Sequence, residues 1–331
     1  MGTIIDGQFA DEVCINGTVV NSAVKNGIKF YERSPEYFKF TIDTRQTSSG
    51  LNGTDKTFTI PTLANVPYNW RIKWGDGTTD TVSSTAPAAI SHTYSTAGQY
   101  QIAIRPAGDL DQWFSAFSFN NDSTANRLKL QSLDSPLTVA MFAEVGATSI
   151  PDEICLRMFY NCSNVTLGSQ FGFSQEWENI TTVDRLFCAY MFYNCSNLTA
   201  LPENFNLPQN ITSVDYGFCG SMFQESGITT LPAAFTLPQN ITTVGAYFCI
   251  QMFYGCSNLT VLPANFNLPQ NITSAGSGFC QSMFYGCSSL TSLSPVFTLP
   301  QSITTVGSDF YYSMFYNCRH ILYCAQLICV F

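Results

Sequence analysis

Charge is scarce in this chain, and one long stretch carries no positive charge at all. Charged residues make up 11% of the 331 residues, and 23 Asp and Glu outweigh 14 Lys and Arg to give a net charge of −9. Between Arg185 and Arg319 there is no Lys, Arg or His. Nucleic acids are bound through clustered cations that neutralise phosphates. The composition therefore argues against a nucleic-acid partner.

The usual side chains of catalysis are also sparse. The sequence has two histidines, His92 and His320, no C-x-x-C pair and no glycine-rich phosphate loop. An enzyme needs titratable groups held close together, such as a nucleophile with its base, paired carboxylates or a metal cluster. We expect a protein without catalytic residues, metal or cofactor.

Long apolar runs are missing as well. No stretch reaches the length that spans a bilayer, so we expect no membrane insertion. The opening MGTIIDGQFADEVC lacks the basic and apolar regions of a signal peptide. Asp6 stands where a myristoylation signal after Gly2 has Ser or Thr. Either an export signal was removed, or the protein reaches the outside by another route, such as in a virus particle.

What the chain does have is a repeat. The segment FCAYMFYNCSNLT, followed by a proline turn and a short I-T-x-V stretch, recurs with small changes through the second half. Its methionines stand at Met158, Met191, Met222, Met252, Met283 and Met314, in steps of 33, 31, 30, 31 and 31 residues. A fixed period of this length predicts a solenoid, in which each unit stacks on its own copies.

Each repeat predicts one short helix and two short strands. Phe187, Met191 and Cys195 are four residues apart, which is typical of an apolar helix face. The alternating stretches 198–201 and 211–214 predict strands on either side of a proline turn. Stacking would bury the apolar side chains, and each repeat position would form a column along the solenoid.

Residues 127–318 resemble the BspA-type leucine-rich repeat family. The resemblance rests on motifs that recur in register: MFYNCSNLT at 191–199, MFYGCSNLT at 252–260, MFYGCSSLT at 283–291, and ITTVG at 241–245 and 303–307. The unit is longer than the usual family repeat because of an added LPxxFxLPQN segment. The resemblance implies a surface-exposed protein used for adhesion and recognition.

Ten of the 13 cysteines occupy two repeat positions. One column is Cys155, Cys188, Cys219, Cys249 and Cys280; the other is Cys162, Cys195, Cys256, Cys287 and Cys318. We expect free, buried thiols, because unpaired cysteine behaves as a small apolar residue. Disulfides between equivalent cysteines of adjacent coils and a metal site are the alternatives. Ser226 and Tyr311, which replace one cysteine in each column, favour packing.

Residues 1–34 predict a β-hairpin docking arm. Asn16-Gly17 and Asn26-Gly27 each lie between apolar stretches, which is a strong hairpin signal. The segment is similar to the openings of bacteriophage structural proteins, which implies a particle partner.

Residues 35–108 predict a β-sandwich. Trp70, Ile72 and Trp74 alternate with cationic residues, and Tyr100, Ile102 and Ile104 predict the closing strand. The strings IKWGDGTTD and SHTYSTAGQYQIAI in 68–104 resemble the PKD (polycystic kidney disease) domain, an immunoglobulin-like spacer or protein-binding module. In that resemblance Asp76 and His92 are structural residues. A Ca²⁺ site at Asp76 and Asp80 would have too few carboxylates.

The expected fold is thus multidomain, a β-sandwich followed by an α/β leucine-rich repeat solenoid. The predicted divisions are a docking arm at 1–34, a sandwich at 35–108, a solenoid cap at 109–150, repeats at 151–318, and a C-terminal cap or truncated repeat at 319–331.

Two kinds of repeat position are candidates for ligand contact. Threonine forms two of the columns and tyrosine a third, and uncharged hydroxyls and aromatic edges suit sugars or polar protein surfaces. The candidate residues are Thr199, Thr229, Thr260 and Thr291, then Thr212, Thr242, Thr273 and Thr304, and finally Tyr193, Tyr254 and Tyr285.

We expect a non-enzymatic recognition protein at the surface of a phage virion, as a tail or capsid-decoration component. Its repeats would bind a host-surface glycan or protein, and residues 1–108 would bind a virion or envelope partner. The alternatives are a bacterial cell-surface adhesin of the BspA type and a structural virion protein without a ligand. Homo-oligomerisation is compatible with each of them.

Overall fold

The computed structural model describes residues 37–62, 68–84, 90–107, 117–143, 147–319 and 321, together with the backbone of four strands before residue 33. The chain divides into two compact units, Met1–Tyr37 and Phe38–Phe331.

The first unit contains two antiparallel hairpins. Strands β1 (Val13–Ile15) and β2 (Thr18–Val20) pair with Val13 opposite Val20, and β3 (Ser22–Lys25) pairs with β4 (Ile28–Glu32). Each strand pair flanks one of the Asn-Gly dipeptides, so the predicted hairpins are confirmed. The turn residues themselves lie outside the described residues, and so do the side chains that would make this segment a docking arm.

The second unit begins with antiparallel sheet. Its strands are β5 (Phe38–Asp43), β6 (Gln46–Thr47), β7 (Gly50–Leu51), β8 (Thr57–Ile60), β9 (Tyr68–Lys73), β10 (Thr79–Ser84), β11 (Ile90–Thr93) and β12 (Gln99–Pro106). Strands β8 and β11 pair separately from the sheet that holds β5, β9, β10 and β12, and β6 pairs with β7. Trp70, Ile72 and Trp74 are fully buried as expected. Phe40 of β5 and Phe58 of β8 pack between their two sheets, with ring centroids 6.1 Å apart.

The antiparallel sheet continues into the solenoid. A short helix α1 (Thr124–Lys129) leads into β13 (Leu130–Leu133), and the first coil contributes β15 (Thr166–Leu167). The strand order is β10-β9-β12-β5-β13-β15, with β13 antiparallel to β5 and parallel to β15. Buried Lys129 donates hydrogen bonds to Asp55 and to the carbonyl of Thr57 beside β8. The N-terminal sheet therefore covers the first coil of the solenoid.

A second parallel sheet follows one side of the solenoid, one short strand from each coil. Its strands pair in sequence order: β14 (Ser149–Ile150), β16 (Thr182–Val183), β17 (Ser213–Val214), β18 (Thr243–Val244), β19 (Ser274–Ala275) and β20 (Thr305–Val306). The remaining regular elements are 3-10 helices at Phe119–Asn121, Val139–Met141 and Gln175–Asn179. The repeat region is a β-solenoid, consistent with a leucine-rich repeat fold.

The helix predicted at Phe187–Cys195 is wrong. Residues 147–319, all of which the structure describes, contain no α-helix, so this solenoid is not α/β. Alternate backbone N–H groups donate to the next coil, as from Phe192 to Met222 at 2.8 Å, whereas the intervening ones close turns of three residues, as from Tyr193 to Tyr190 at 3.2 Å. In an α-helix all of these N–H groups would donate to carbonyls of the same coil.

Left-handed residues produce the four-residue spacing that resembled a helix. In each of six coils, three residues have φ between 52° and 74°. They stand five residues before, one residue before and three residues after the methionine. The column three residues after the methionine holds Asn161, Asn194, Glu225, Gly255, Gly286 and Asn317. Asn and Gly tolerate this conformation best. A left-handed residue at every fourth position brings the residue that follows it to the core, as at Phe187, Met191 and Cys195.

Columns of identical side chains fill the core. Phenylalanine rings stack at 5.4–5.7 Å along Phe159, Phe192, Phe223, Phe253, Phe284 and Phe315. Nine of the ten cysteines in the two repeat columns are buried, and Cys318 is half-buried. All ten are free thiols, and Cys219 and Cys249 lie 3.2 Å apart at sulphur. The predicted burial is confirmed.

Candidate recognition surface

The first threonine column lies on the outer surface and is bonded along its length. Thr229, Thr260 and Thr291 each donate from both the backbone N–H and the hydroxyl to the carbonyl of the preceding threonine, at 2.9–3.1 Å. The column begins at Thr199. The hydroxyl protons of these three threonines are used within the column, so the three offer a ligand methyl groups and acceptor lone pairs.

The second threonine column borders the six-stranded parallel sheet. Thr212, Thr273 and Thr304 are exposed, and their hydroxyls donate to the carbonyl of the preceding threonine at 3.2–3.5 Å. Thr242 continues the backbone ladder, accepting from the N–H of Thr273 at 3.1 Å. The eight predicted threonines therefore form two bonded columns. Each takes part in holding successive coils together.

The tyrosine column consists of stacked rings. Tyr254 and Tyr285 have centroids 4.7 Å apart and planes at 6°, and Tyr285 and Tyr316 have centroids 5.0 Å apart. Tyr160 and Tyr193 form a second stack at 4.7 Å. Since stacking covers the facing sides of neighbouring rings, the column presents mainly ring edges and hydroxyls to solvent.

The third coil interrupts this column with Gln224. The next residue, Glu225, is exposed and stands in the left-handed column. Burial raises the pKa of the Tyr193 phenol, and the charge and hydrogen bonding of the Glu225 carboxylate raise it further. Glu225 is one of only four charged residues between Arg185 and Arg319. The interruption therefore places an isolated carboxylate between two tyrosine stacks.

Two arginines of the first coils lie over tyrosine rings. Arg157 lies over the rings of Tyr160 and Tyr190, at 6.0 and 5.0 Å from their centroids, and Arg185 lies 5.2 Å over Tyr216. Cation–π contact of this kind holds the guanidinium planes against aromatic faces. The sequence between Arg185 and Arg319 carries no positive charge.

Asp76 and His92 form a structural cluster in the N-terminal sheets. His92 stacks on Trp74 with centroids 4.8 Å apart, and its Nε2 lies 2.8 Å from the Asp76 carboxylate. Burial alone would raise the pKa of Asp76, but hydrogen bonds from the Thr78 hydroxyl, His92 and the Thr78 N–H lower it to about 2. Asp80 instead accepts from the Trp74 indole N–H at 2.7 Å. The two carboxylates thus serve different partners.

Sequence reasoning missed the amide residues of the proline turns. The Oδ1 atom of Asn267 accepts from the N–H groups of Leu268 and Thr298, in its own and the next coil, at 2.9 Å. Gln270 Nε2 donates to the carbonyl of Leu268 at 2.8 Å and to that of Thr298 at 3.0 Å. The recurring NLPQ string was the available signal. These amides cross-link coils, which leaves few of their groups for a ligand.

The last coil carries a cavity of about 640 Å³, lined by Leu299, Val306, Phe310, Tyr312 and Tyr316 among others. Ile321 packs against the core nearby. The rest of the predicted C-terminal cap, 322–331, lies outside the described residues.

Within the described residues, no group of three or more His, Cys, Asp or Glu side chains is placed to hold a metal ion. The same part of the chain forms no helix of the length and apolarity that crossing a membrane requires.

The repeats match a known protein family. Residues 153–325, more than half of the chain, match the family described as the BspA type leucine rich repeat region, in six copies. No curated protein matches the chain. One solved structure with detectable similarity is a leucine-rich repeat protein from Bacteroides ovatus ATCC 8483, determined at 1.19 Å resolution. It is 19% identical, the match covers 56% of this chain and about half (51%) of that one, and the TM-score is 0.22.

Proposed function

Because the chain belongs to the BspA-type leucine-rich repeat family, we propose that it is a non-enzymatic surface protein that recognises a ligand through its solenoid. Proteins of this type are typically surface proteins with adhesive roles. The observation that carries the proposal is the tyrosine column, a row of outward phenol edges on coils that are otherwise almost free of charge.

The tyrosine column suits recognition better than the threonine columns do. Hydroxyl groups of the threonines already donate to backbone carbonyls of the neighbouring coil. The tyrosine rings are half-buried and rigidly stacked, so that ordering them on binding costs little side-chain entropy. Their hydroxyls repeat at the spacing of the coils and suit a polymeric polar ligand such as a glycan.

Bacterial display is the location we favour. The match of the repeats to the BspA type is compatible with a bacterial cell-surface adhesin. The resemblance of residues 1–34 to phage structural proteins, the virion location and the particle partner remain predictions without support from these comparisons.

The N-terminal sheets are proposed to act as a spacer of the PKD type. The support is the buried Trp70–Ile72–Trp74 pattern and the Asp76–His92 contact, which fall on the motif residues. Such a spacer would hold the solenoid away from its point of attachment.

Binding of the labelled full chain to intact bacterial cells and to a printed glycan array tests the proposal. We expect saturable binding that excess unlabelled chain displaces. The variant Tyr254→Ser/Tyr285→Ser should lose most of it, and Thr260→Val/Thr291→Val should keep it. Absence of saturable binding to both cells and array would overturn the adhesive function.

A further inference from the structure

We propose that a groove beside Tyr254 and Tyr285 binds a neutral carbohydrate, with Gln224 and Glu225 at one end as its hydrogen-bonding groups. The inference rests on the proposed function and assigns its ligand class and site. We call this groove the tyrosine groove and define it by Tyr254, Tyr285, Gly255, Gly286 and Glu225.

Two glycines form the floor of the tyrosine groove. The column that holds Asn161 and Asn194 in the first coils changes to glycine in the fourth and fifth coils, at Gly255 and Gly286. A Cβ atom on Gly286 would meet only backbone atoms of Gly255, at 3.7 and 3.8 Å. Since side chains elsewhere fill this column, the strip beside the two stacked tyrosines is open.

Glu225 closes the end of that strip. Its Cγ atom would lie 3.2 Å from a Cβ on Gly255, so the side chain reaches over the start of the floor. Its backbone N–H donates to the carbonyl of Tyr254 at 2.8 Å, which fixes it to the fourth coil. Together with Gln224, it places a carboxylate and an amide at the end of a row of phenol hydroxyls.

A shortened corner leaves this end uncovered. The other coils turn after the cysteine with two polar residues, such as Ser257 and Asn258, where the third coil has only Gly227. A Cβ on Gly227 would lie 2.0 Å from the carbonyl oxygen of Ser196, so the chain is pressed against the second coil there. The third coil is one residue shorter, and Glu225 stays exposed.

The chemistry of the groove selects a polyhydroxylated, uncharged ligand. Tyr285 is stacked on both faces, by Tyr254 and Tyr316, and Tyr254 is stacked on the face toward Tyr285, so these ring faces are closed to an ammonium group. The carboxylate repels anions, and the sequence from Arg185 to Arg319 supplies no cation to offset it. A carboxylate and a primary amide side by side accept from and donate to neighbouring sugar hydroxyls. Tyrosine edges then cover the less polar sugar surface.

Saturation-transfer NMR on the full chain tests the site, with methyl β-galactoside, methyl β-glucoside and methyl α-mannoside as probes. N-acetylneuraminic acid and Nα-acetyl-lysine methylamide serve as the anionic and cationic comparisons. We expect transfer to at least one neutral glycoside and none to the charged probes. Transfer only to the lysine probe, or to no neutral glycoside, would overturn the inference.

Two variants locate the site. Glu225→Gln should lower the affinity for the responding glycoside by at least about tenfold, because a charge-assisted hydrogen bond is lost. Gly255→Asn/Gly286→Asn should abolish transfer by filling the floor with the residue that the same column holds elsewhere, one that tolerates positive φ. Glu203→Gln, a charge change on another edge, should leave binding unchanged.

These two variants test the tyrosine groove separately from the proposed adhesive function of the chain. Wild-type affinity in both Glu225→Gln and Gly255→Asn/Gly286→Asn would refute the tyrosine groove, even where cells and array still bind the chain. If the glycine variant has lost its fold by circular dichroism, Glu225→Gln alone decides.

Discussion

The ring of Tyr254 lies flat against the ring of Tyr285, with centroids 4.7 Å apart and planes at 6°. That separation is the spacing of neighbouring strands, so the rings follow the rise of the coils. Tyr285 is held between Tyr254 and Tyr316, so its edge and hydroxyl are what it offers a ligand.

The phenol hydroxyls should therefore matter for binding and not for stability. Tyr254→Phe/Tyr285→Phe keeps the stack and removes two hydroxyls. We expect an unchanged melting temperature and cell binding weaker by about tenfold, the value of one or two lost hydrogen bonds. Equilibrium binding of the two proteins to the same cells checks this; equal affinities would show that the hydroxyls make no contact.

The threonine hydroxyls should show the opposite pattern. Thr260→Val keeps the shape of the side chain and removes its hydrogen bond to the Thr229 carbonyl, which still accepts from the backbone N–H of residue 260. We expect a loss of about 0.5–1 kcal/mol in unfolding free energy and no change in ligand binding. Urea titrations of the variant and the parent provide the measurement. A loss above about 2 kcal/mol would mean that the carbonyl depends on the hydroxyl.

Close approach of coils should make Gly245 irreplaceable. A Cβ at this position would lie 1.4 Å from the carbonyl oxygen of Asp215, inside the backbone of the preceding coil. Gly245→Ala should cost about 3 kcal/mol or more, because the sheet must shift to admit it. Gly98→Ala is the matched control, since its Cβ would meet only the Tyr100 ring, at 3.7 Å. Equal stabilities for the two variants by urea unfolding would contradict the packing described.

The buried thiols should resist alkylation. Burial raises the pKa of Cys256 to about 12, against a small opposing effect of Ser226, so little reactive thiolate exists near neutral pH. We expect no iodoacetamide adduct at Cys256 in the native protein at about pH 8, and complete reaction in guanidinium chloride. Peptide mapping by mass spectrometry identifies each site. Native labelling of Cys256 at the denatured rate would show that the column opens.

The Asp76 carboxylate should stabilise the N-terminal sheets in a pH-dependent way. Its pKa in the folded protein, about 2, is below the ordinary value of 3.8. The contribution of the Asp76 carboxylate to the free energy of unfolding is therefore complete above about pH 4 and is lost as pH falls through 2. The melting temperature of Asp76→Asn should be lower than the wild-type value at pH 5 and converge on it at pH 2. A difference that stays constant between these pH values would contradict the assignment.

Much of the solenoid could be predicted from the sequence, because the same pattern recurs in every copy of the repeat. The period and the buried phenylalanine, methionine and cysteine columns are found, and a strand at 213–214 lies within the predicted 211–214. The other predicted strand, at 198–201, is not formed. The helix was wrong because spacing by four is shared by a helix and by a chain of turns with one left-handed residue in four. Asn194 and Gly255, at the same position of their repeats, were the signal for the second arrangement.

The candidate surface was harder to predict than the fold. Sequence spacing places Thr260 and Tyr254 in columns, but it does not show that one hydroxyl is already bonded and that the other ring is stacked. Those facts depend on contacts between coils about 30 residues apart in sequence. The sequence also shows the break at Gln224 and Glu225, but not that the Glu225 side chain lies beside Gly255 of the next coil.

Hydrogen exchange of the full chain, with and without polysaccharide extracted from the cells that bind it, tests the central claim most directly. The account predicts added protection in the peptides covering 251–258 and 282–289, which contain the tyrosine groove. It predicts no change in 38–106. Protection confined to the N-terminal sheets would place recognition there and contradict the role given to the solenoid.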